Sequence, residues 1–229
     1  MSRLVVITGG AKGIGAAIAR RFTDAGDQVV ALNHVDLDVT REDAVADVLD
    51  PLEVDVLVNN AGIAASAPVH KTTVDDWRTQ LEVNATGAFL CTRAVLPGMR
   101  ARDRGRIVTV ASTAALVGQP YTAGYTASKH AAVGLMRTVA AEVAGTGVTA
   151  NAVCPTFVRT DMTARTVVRI AERTGRSEED SEASLARLAP LGRLLEPEEV
   201  AFAVAFLAAP EAGAINGQTI VLDGGGIQA

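Results

Sequence analysis

Two side chains at one helical spacing carry the most chemistry in this sequence. Tyr125 and Lys129, in Tyr125-Thr126-Ala127-Ser128-Lys129, are four apart, so on a helix both lie on one face. A phenol ordinarily titrates near 10, too high for acid/base work at neutral pH. A lysine cation about 4 Å away, at an effective dielectric of about 20, contributes about 4 kcal/mol. That equals about three pKa units and predicts a phenol near 7. Taken alone, such a pair is also an ordinary solvated helix face. Ser112 strengthens the chemical reading, because it follows a strand expected over 106–110, where ligands of open α/β sheets bind. Its hydroxyl is placed to hold a substrate oxygen while Tyr125 gives or takes the proton.

A second constellation is Thr8-Gly9-Gly10-Ala11-Lys12-Gly13-Ile14-Gly15, between an apolar strand and an amphipathic helix. Glycines there let the backbone turn sharply and approach a pyrophosphate, which the unpaired N–H groups of the helix start attract. A plain tight turn is the competing reading, and the strand before and helix after weaken it.

The elements that must position these residues are legible from hydrophobic pattern. Short apolar runs at 4–8, 29–32, 54–59, 106–110, 148–153 and 219–222 read as strands covered on both faces. Helical stretches at 13–25, 42–49, 74–100, 123–144 and 197–207 alternate with them. The alternation predicts a single α/β domain over 1–229, with a doubly wound (Rossmann) parallel sheet and right-handed crossovers. The polar stretch 169–187, RTGRSEEDSEASLAR within it, is either a linker or part of a lid over about 160–190, and its place after a strand's carboxyl end favours the lid.

The chain resembles the short-chain dehydrogenase/reductase family over essentially its whole length. The resemblance rests on TGGAKGIG at 8–15, NNAG at 59–62, Asn84 within EVNATGAF, Ser112, YTASK at 125–129 and NAVCPTFVRTDM at 151–162. It implies an NAD(P)-dependent oxidoreductase that moves a hydride between a nicotinamide and a ketone or secondary alcohol. Tyr125 is then the acid/base, Ser112 the residue that orients the carbonyl, and Lys129 the holder of the nicotinamide ribose. Asn84 holds a water that links Lys129 to solvent. Gly9, Lys12, Gly13, Ile14 and Gly15 cradle the pyrophosphate. Asn33, His34, Asp38, Val39, Asn60, Ala61 and Gly62 surround the adenosine half, and Pro155, Thr156, Val158 and Thr160 the nicotinamide.

Two departures from the family pattern stand out. Thr156 occupies the place of a usual glycine after Pro155; its side chain either crowds the nicotinamide edge, tilts the loop or faces solvent. The second is larger. The strand ending at Leu32 is followed almost at once by Asp38-Val39-Thr40, where the family places a helix and a strand in between. A parallel crossover needs about a dozen residues. The usual third strand is therefore expected to be missing or reduced, leaving six strands. Asn33, in place of an acid that would repel a 2′-phosphate, and Lys12 lean toward NADP(H) over NAD(H), although Asp36 or Asp38 is still placed to reach the ribose.

The loop 115–121 and the segment 162–188 should wall the substrate pocket. Their aliphatic surface, with Arg165, Arg169, Arg173 and Arg176, suits an acyl chain on an anionic carrier; a solvated helix face is the alternative for the arginines. The resemblance points to a 3-oxoacyl or 3-hydroxyacyl thioester, linked to coenzyme A or an acyl carrier protein. Alternatives are a dehydrogenase of a free secondary alcohol, cyclic diol, sugar or steroid, and a non-catalytic cofactor-binding protein. Ala127, Ala131, Ala132, Leu135, Met136 and Val139 offer a small-residue face, for either a homodimer or homotetramer contact or packing on the sheet.

Composition closes off other classes. A formal charge of −5, with no basic run, argues against nucleic acid. His34, His70 and His130 are too scattered for a metal site, and Cys91 and Cys154 read as buried hydrophobes in a reducing compartment. No apolar run spans a bilayer and no cleavable signal is visible, so a soluble cytoplasmic protein is the expectation.

Overall fold

Neighbouring residues of the inner strands face opposite helical layers, which explains why nearly all are apolar. In the computed structural model, which describes residues 2–228, Val6, Leu57 and Ile107 pack on one side of the sheet. Val5, Ile7, Val56, Val58 and Val108 pack on the other. The strands are β1 (Leu4–Thr8), β2 (Gln28–Leu32), β3 (Val56–Asn59), β4 (Gly105–Val110), β5 (Val148–Pro155) and β6 (Thr219–Leu222). All pair in parallel in the order β2-β1-β3-β4-β5-β6. The chain winds outward from β1 to β2, then returns to start β3 on the other side of β1, so the switch point lies between β1 and β3.

The helices are α1 (Gly13–Asp24), α2 (Glu42–Leu49), α3 (Val74–Leu81), α4 (Gly87–Ala101), α5 (Ala123–Glu142), α6 (Asp161–Thr174), α7 (Glu178–Ala186) and α8 (Pro197–Leu207). The single helix expected over 74–100 is in fact two, α3 and α4, joined by a widened π-type turn at Glu82–Thr86. The extra residue in that turn carries Asn84 inward, 3% exposed. Residues 169–187 are largely helical, in α6 and α7, rather than an extended linker. α6 is capped by Thr160 and ends on Gly175 in the left-handed region; Ser177 caps α7.

The expected loss of a strand after β2 is borne out, and the replacement is a tight polar turn. Asn33 Oδ1 accepts the N–H groups of Val35 at 2.7 Å and Asp36 at 3.3 Å, while Asp36 Oδ2 accepts the Asn33 N–H at 2.9 Å. The chain then drops under the sheet. Leu37 and Val39, 4% and 7% exposed, join the buried cluster that contains Leu57 and Leu90. Val39 Cγ2 lies 2.6 Å from where a Cβ on Gly87 would stand, so α4 can approach only because residue 87 is glycine. β2 is left as a sheet edge.

Half of the α5 face expected for helix pairing is buried within the chain: Met136 and Val139 lie in the core under the sheet and Ala132 is buried, while Ala127 and Leu135 are half-buried and Ala131 is exposed. Among the described residues no helix is long and apolar enough to cross a membrane.

If Leu37 anchors the shortened crossover, Leu37→Ala should cost about 2–5 kcal/mol of unfolding free energy in urea titration. Val35→Ala, at a residue 93% exposed, should cost less than about 0.5 kcal/mol. Equal effects would contradict this packing.

Candidate active site

The carboxyl ends of β1, β3, β4 and β5 converge on one crevice, and each contributes a piece. After β1 the chain turns with Gly9 at φ +65° and Gly13 at φ +50°, a region that favours glycine. A Cβ on Gly15 would stand 2.2 Å from the Gly9 carbonyl oxygen and 2.6 Å from Asn60 Nδ2. Lys12 precedes α1 and its side chain gives no cap, so the first-turn N–H groups are left facing the crevice. That is a fitting cradle for a dinucleotide pyrophosphate.

The loop is braced from β3. Asn60 Nδ2 donates to Thr8 O and Gly9 O, both at 2.9 Å, and Thr8 Oγ1 accepts from the backbone of Asn60 at 3.1 Å and Ala61 at 3.0 Å. Asn60, expected only to line the ribose, is thus turned toward the glycine loop. Gly62 is hemmed in: a Cβ there would meet Asn84 Oδ1 at 3.2 Å and Lys129 Nζ at 3.5 Å.

Asn84, Ser112, Tyr125 and Lys129 come together. Asn84 clamps the backbone of Ile63, accepting its N–H at 2.8 Å and donating to its carbonyl at 3.0 Å, and also donates to Ser128 Oγ at 2.9 Å. Ser128 Oγ in turn donates to the Tyr125 carbonyl at 2.8 Å. Ser112 lies just beyond β4, 9% exposed, its hydroxyl oxygen accepting from the Ala114 N–H at 3.2 Å. Lys129, 6% exposed, donates to the Val110 carbonyl at 2.9 Å.

The electrostatics differ from the sequence-based expectation. Burial pushes the Tyr125 phenol above its ordinary value, and the adjacent Ser112 side chain pulls the other way without reversing this. The Lys129 nitrogen sits 5.8 Å from the Tyr125 ring centroid and is turned to Val110, so the expected drop of the phenol toward 7 does not occur. Desolvation is the largest influence on the phenol. The same burial lowers Lys129 itself to about 8. Cys154, beneath them, is raised by burial to about 11 and stays a neutral thiol.

A cavity of about 10 Å³ lies among Asn59, Asn84, Thr109 and Lys129, near the size that holds one water. Among the described residues the buried Asn59 Oδ1 has no hydrogen-bond partner, although its amide donates to Thr92 at 3.0 Å. The sequence reading missed Asn59, Thr8, Ser128 and Gln80. The first three sit inside or beside quoted motifs. Gln80, which holds the Ala65 N–H at 2.9 Å, has no such signal.

The remaining expected contacts divide. Just past β5 the Thr156 N–H donates to Leu222 O at 3.0 Å, and its φ is not in the glycine region, so the backbone there does not require glycine. Pro155 is buried at the end of β5, and the Val158 side chain is buried with Leu195, leaving only backbone to face the crevice. The methyl of Thr160 stands 3.0 Å from a notional Cβ on Gly13. Of the adenosine group, His34 is exposed, Val39 is core, and both candidate carboxylates are occupied: Asp36 by Asn33, and Asp38 by the Thr40 hydroxyl at 2.7 Å.

A family model described as enoyl-(acyl carrier protein) reductase matches residues 9–226. The acetoacetyl-CoA reductase of Shinella zoogloeoides is 38% identical over 247 residues, covering 98% of each chain. The chain belongs to the short-chain dehydrogenase/reductase family. Among solved structures, a variant of actinorhodin polyketide ketoreductase with NADPH superposes with a TM-score of 0.90 at 32% identity, covering 98% of this chain and 97% of the other. Ligand-free aldohexose dehydrogenase of Thermoplasma acidophilum gives 0.89 at 31% identity, covering 100% and 97%. Membership makes the protein a nicotinamide-dependent oxidoreductase of the ketone/alcohol pair.

Gly15→Ala should weaken NADPH binding about tenfold or more, the equivalent of the about 1–3 kcal/mol that overpacking costs. Cofactor fluorescence titration reads this directly. Unchanged affinity would remove the glycine loop from the site.

Proposed function

We propose that the protein reduces the 3-oxo group of an acyl thioester, with NADPH as the preferred reductant. The observation that carries the chemistry is the grouping of Ser112, Tyr125 and Lys129 at the carboxyl end of β4, and the reductive direction is supported by the likeness to an acetoacetyl-CoA reductase and a ketoreductase. The thioester reading is supported by the acetoacetyl-CoA reductase likeness, and the actinorhodin relative also acts as a ketoreductase. NADPH preference is supported by Asn33 at the end of β2, by exposed Lys12, and by the two carboxylates, Asp36 and Asp38, being bound to their own backbone or a neighbour.

Each residue then has one task. The first-turn N–H groups of α1, with Gly9, Gly13 and Gly15, bind the pyrophosphate, and Lys12 faces the 2′-phosphate. Backbone at Pro155, Thr156 and Val158, with Thr160, receives the carboxamide end. When bound, the nicotinamide supplies a hydride to the carbonyl carbon. Ser112 Oγ hydrogen-bonds the carbonyl oxygen, and Tyr125 donates its phenolic proton to that oxygen as negative charge develops. The Lys129 ammonium steadies the phenolate that remains. Its proton returns through a water in the cavity beside Asn84. The α6–α7 segment, about 160–190, acts as a lid over the acyl chain, and the outward residues of α5 and the exposed Phe202 and Phe206 of α8 pair subunits in a homo-oligomer.

A second reading, oxidation of a free sugar, has the aldohexose dehydrogenase likeness in its favour. Reduction of acetoacetyl-CoA, followed by NADPH absorbance, separates the two: turnover of the thioester with none of aldohexoses supports the first reading, and the reverse overturns it. KM for NADH should exceed that for NADPH about tenfold, as one charge-assisted contact of about 1.5–3 kcal/mol implies.

Tyr125→Phe should cut kcat for reduction by about 10²–10⁴-fold while leaving NADPH affinity in place. Lys129 sets the alkaline limb. Its folded pKa is lowered to about 8, so its charge is present below that value and lost above it. kcat/KM for reduction should fall as pH rises through about 8; a profile flat to pH 10 would exclude the cation from the reaction.

A further inference from the structure

Among the described residues of this acidic chain, seven arginines have carboxylate partners: Arg3, Arg20, Arg41, Arg93, Arg104, Arg159 and Arg193. Helix α6 is built differently. It carries Arg165, Arg169 and Arg173 at intervals of four, one stripe of the helix, and among the described residues none of the three reaches a carboxylate. Two acids, Asp161 and Glu172, lie on the same helix, and neither forms a salt bridge with them.

The middle arginine is the informative one. Arg165 and Arg173 are exposed, but Arg169 is half-buried, and its Nη1 donates to Ser66 Oγ at 3.1 Å, across 103 residues of chain. Ser66 belongs to the loop after β3, between Ile63, which Asn84 clamps, and Ala67, whose N–H donates to Tyr121 O at 2.8 Å. α6 starts directly after Thr160, in the loop that follows β5. Arg169 and Ser66 therefore close an arch between the two loops that flank the crevice. A guanidinium has five N–H donors, and this one spends one of them on a neutral hydroxyl, which keeps its own O–H to donate. Half-buried cation plus free hydroxyl is the donor set for a phosphate or carboxylate, strengthened by partial desolvation.

We propose that Arg169 and Ser66, flanked by Arg165 and Arg173, seat the phosphate-bearing carrier arm of the substrate, the pantetheine phosphate that coenzyme A and carrier proteins share. This rests on the thioester reading above. The arch thereby selects carried acyl groups over free ketones of the same shape, and Arg169 is a specificity-determining residue rather than part of the proton machinery.

The test compares acetoacetyl-CoA with acetoacetyl-pantetheine, which lacks the phosphates and the nucleotide. In the native protein kcat/KM should favour acetoacetyl-CoA, and Arg169→Gln should reduce that ratio about tenfold, the loss of one charge-assisted contact. Acetoacetyl-4′-phosphopantetheine distinguishes the phosphate common to both carriers, which should keep the preference, from the nucleotide phosphates of coenzyme A. A mere latch between α6 and the loop would alter both substrates together and leave the ratio unchanged, and an unchanged ratio overturns the inference. Calorimetry of coenzyme A with the NADP-loaded protein gives an independent reading: binding should weaken about tenfold in Arg169→Gln. Should no thioester be reduced, the proposed activity fails, and this binding measurement still decides the seat. Equal affinity in both proteins, or no binding to the native one, refutes it.

Discussion

Burying an ammonium is the constraint around which the rest of the crevice is arranged. Lys129 sits 6% exposed at the first turns of α5, and a charge so placed costs several kcal/mol unless it finds an acceptor. The acceptor is the Val110 carbonyl at the open end of β4, a group the sheet ladder leaves free. That one hydrogen bond ties α5 to the sheet at the point where Ser112 leaves it. It also brings Tyr125, one turn earlier, over the crevice. The lowered lysine pKa, to about 8, and the raised phenol are two consequences of the same desolvation.

The polar side chains around this pair form a chain of braces rather than a set of separate ligands. Asn84 reaches inward because α3 and α4 are joined by a widened turn, and it holds both the loop after β3 and Ser128 of α5. Asn60 and Thr8 lock the glycine loop to β3. Each brace spans two elements that are distant in sequence, so the crevice is specified only once the parallel sheet has formed. The shortened crossover after β2 leaves this framework intact. Leu37 and Val39 supply the buried surface beneath the sheet, while the adenosine side is rebuilt as a tight Asn33–Asp36 turn whose carboxylate faces its own backbone.

Much of this was legible beforehand because parallel strands must be apolar on both faces and because their connections have a minimum length. The six strands, the missing strand and the four convergent polar residues all follow from those two rules together with the family likeness. What was illegible involved geometry finer than a residue count. The helical hydrophobic spacing from 74 to 100 conceals the π-type turn, since one extra residue hardly disturbs it. The four-residue interval between Tyr125 and Lys129 correctly put them on one face, but the interval says nothing of which partner the amine chooses, and Val110 won it. Asn60 reads from sequence as a ligand contact, whereas its amide is directed at two carbonyls that only the folded loop presents. Gln80 and the Arg169–Ser66 contact join segments with no local pattern between them.

The central claim is that the unliganded protein keeps Tyr125 as a neutral phenol. The chain contains only two tyrosines, so Tyr121→Phe leaves one phenol to observe. Ultraviolet difference titration of that protein near 295 nm, or the ring-carbon shift of labelled tyrosine, follows its ionisation directly. The phenol should titrate above its ordinary value of about 10 when no nicotinamide is present. Ionisation between about pH 7 and 8 in the free protein would show that the lysine cation prevails over burial, and would contradict the account.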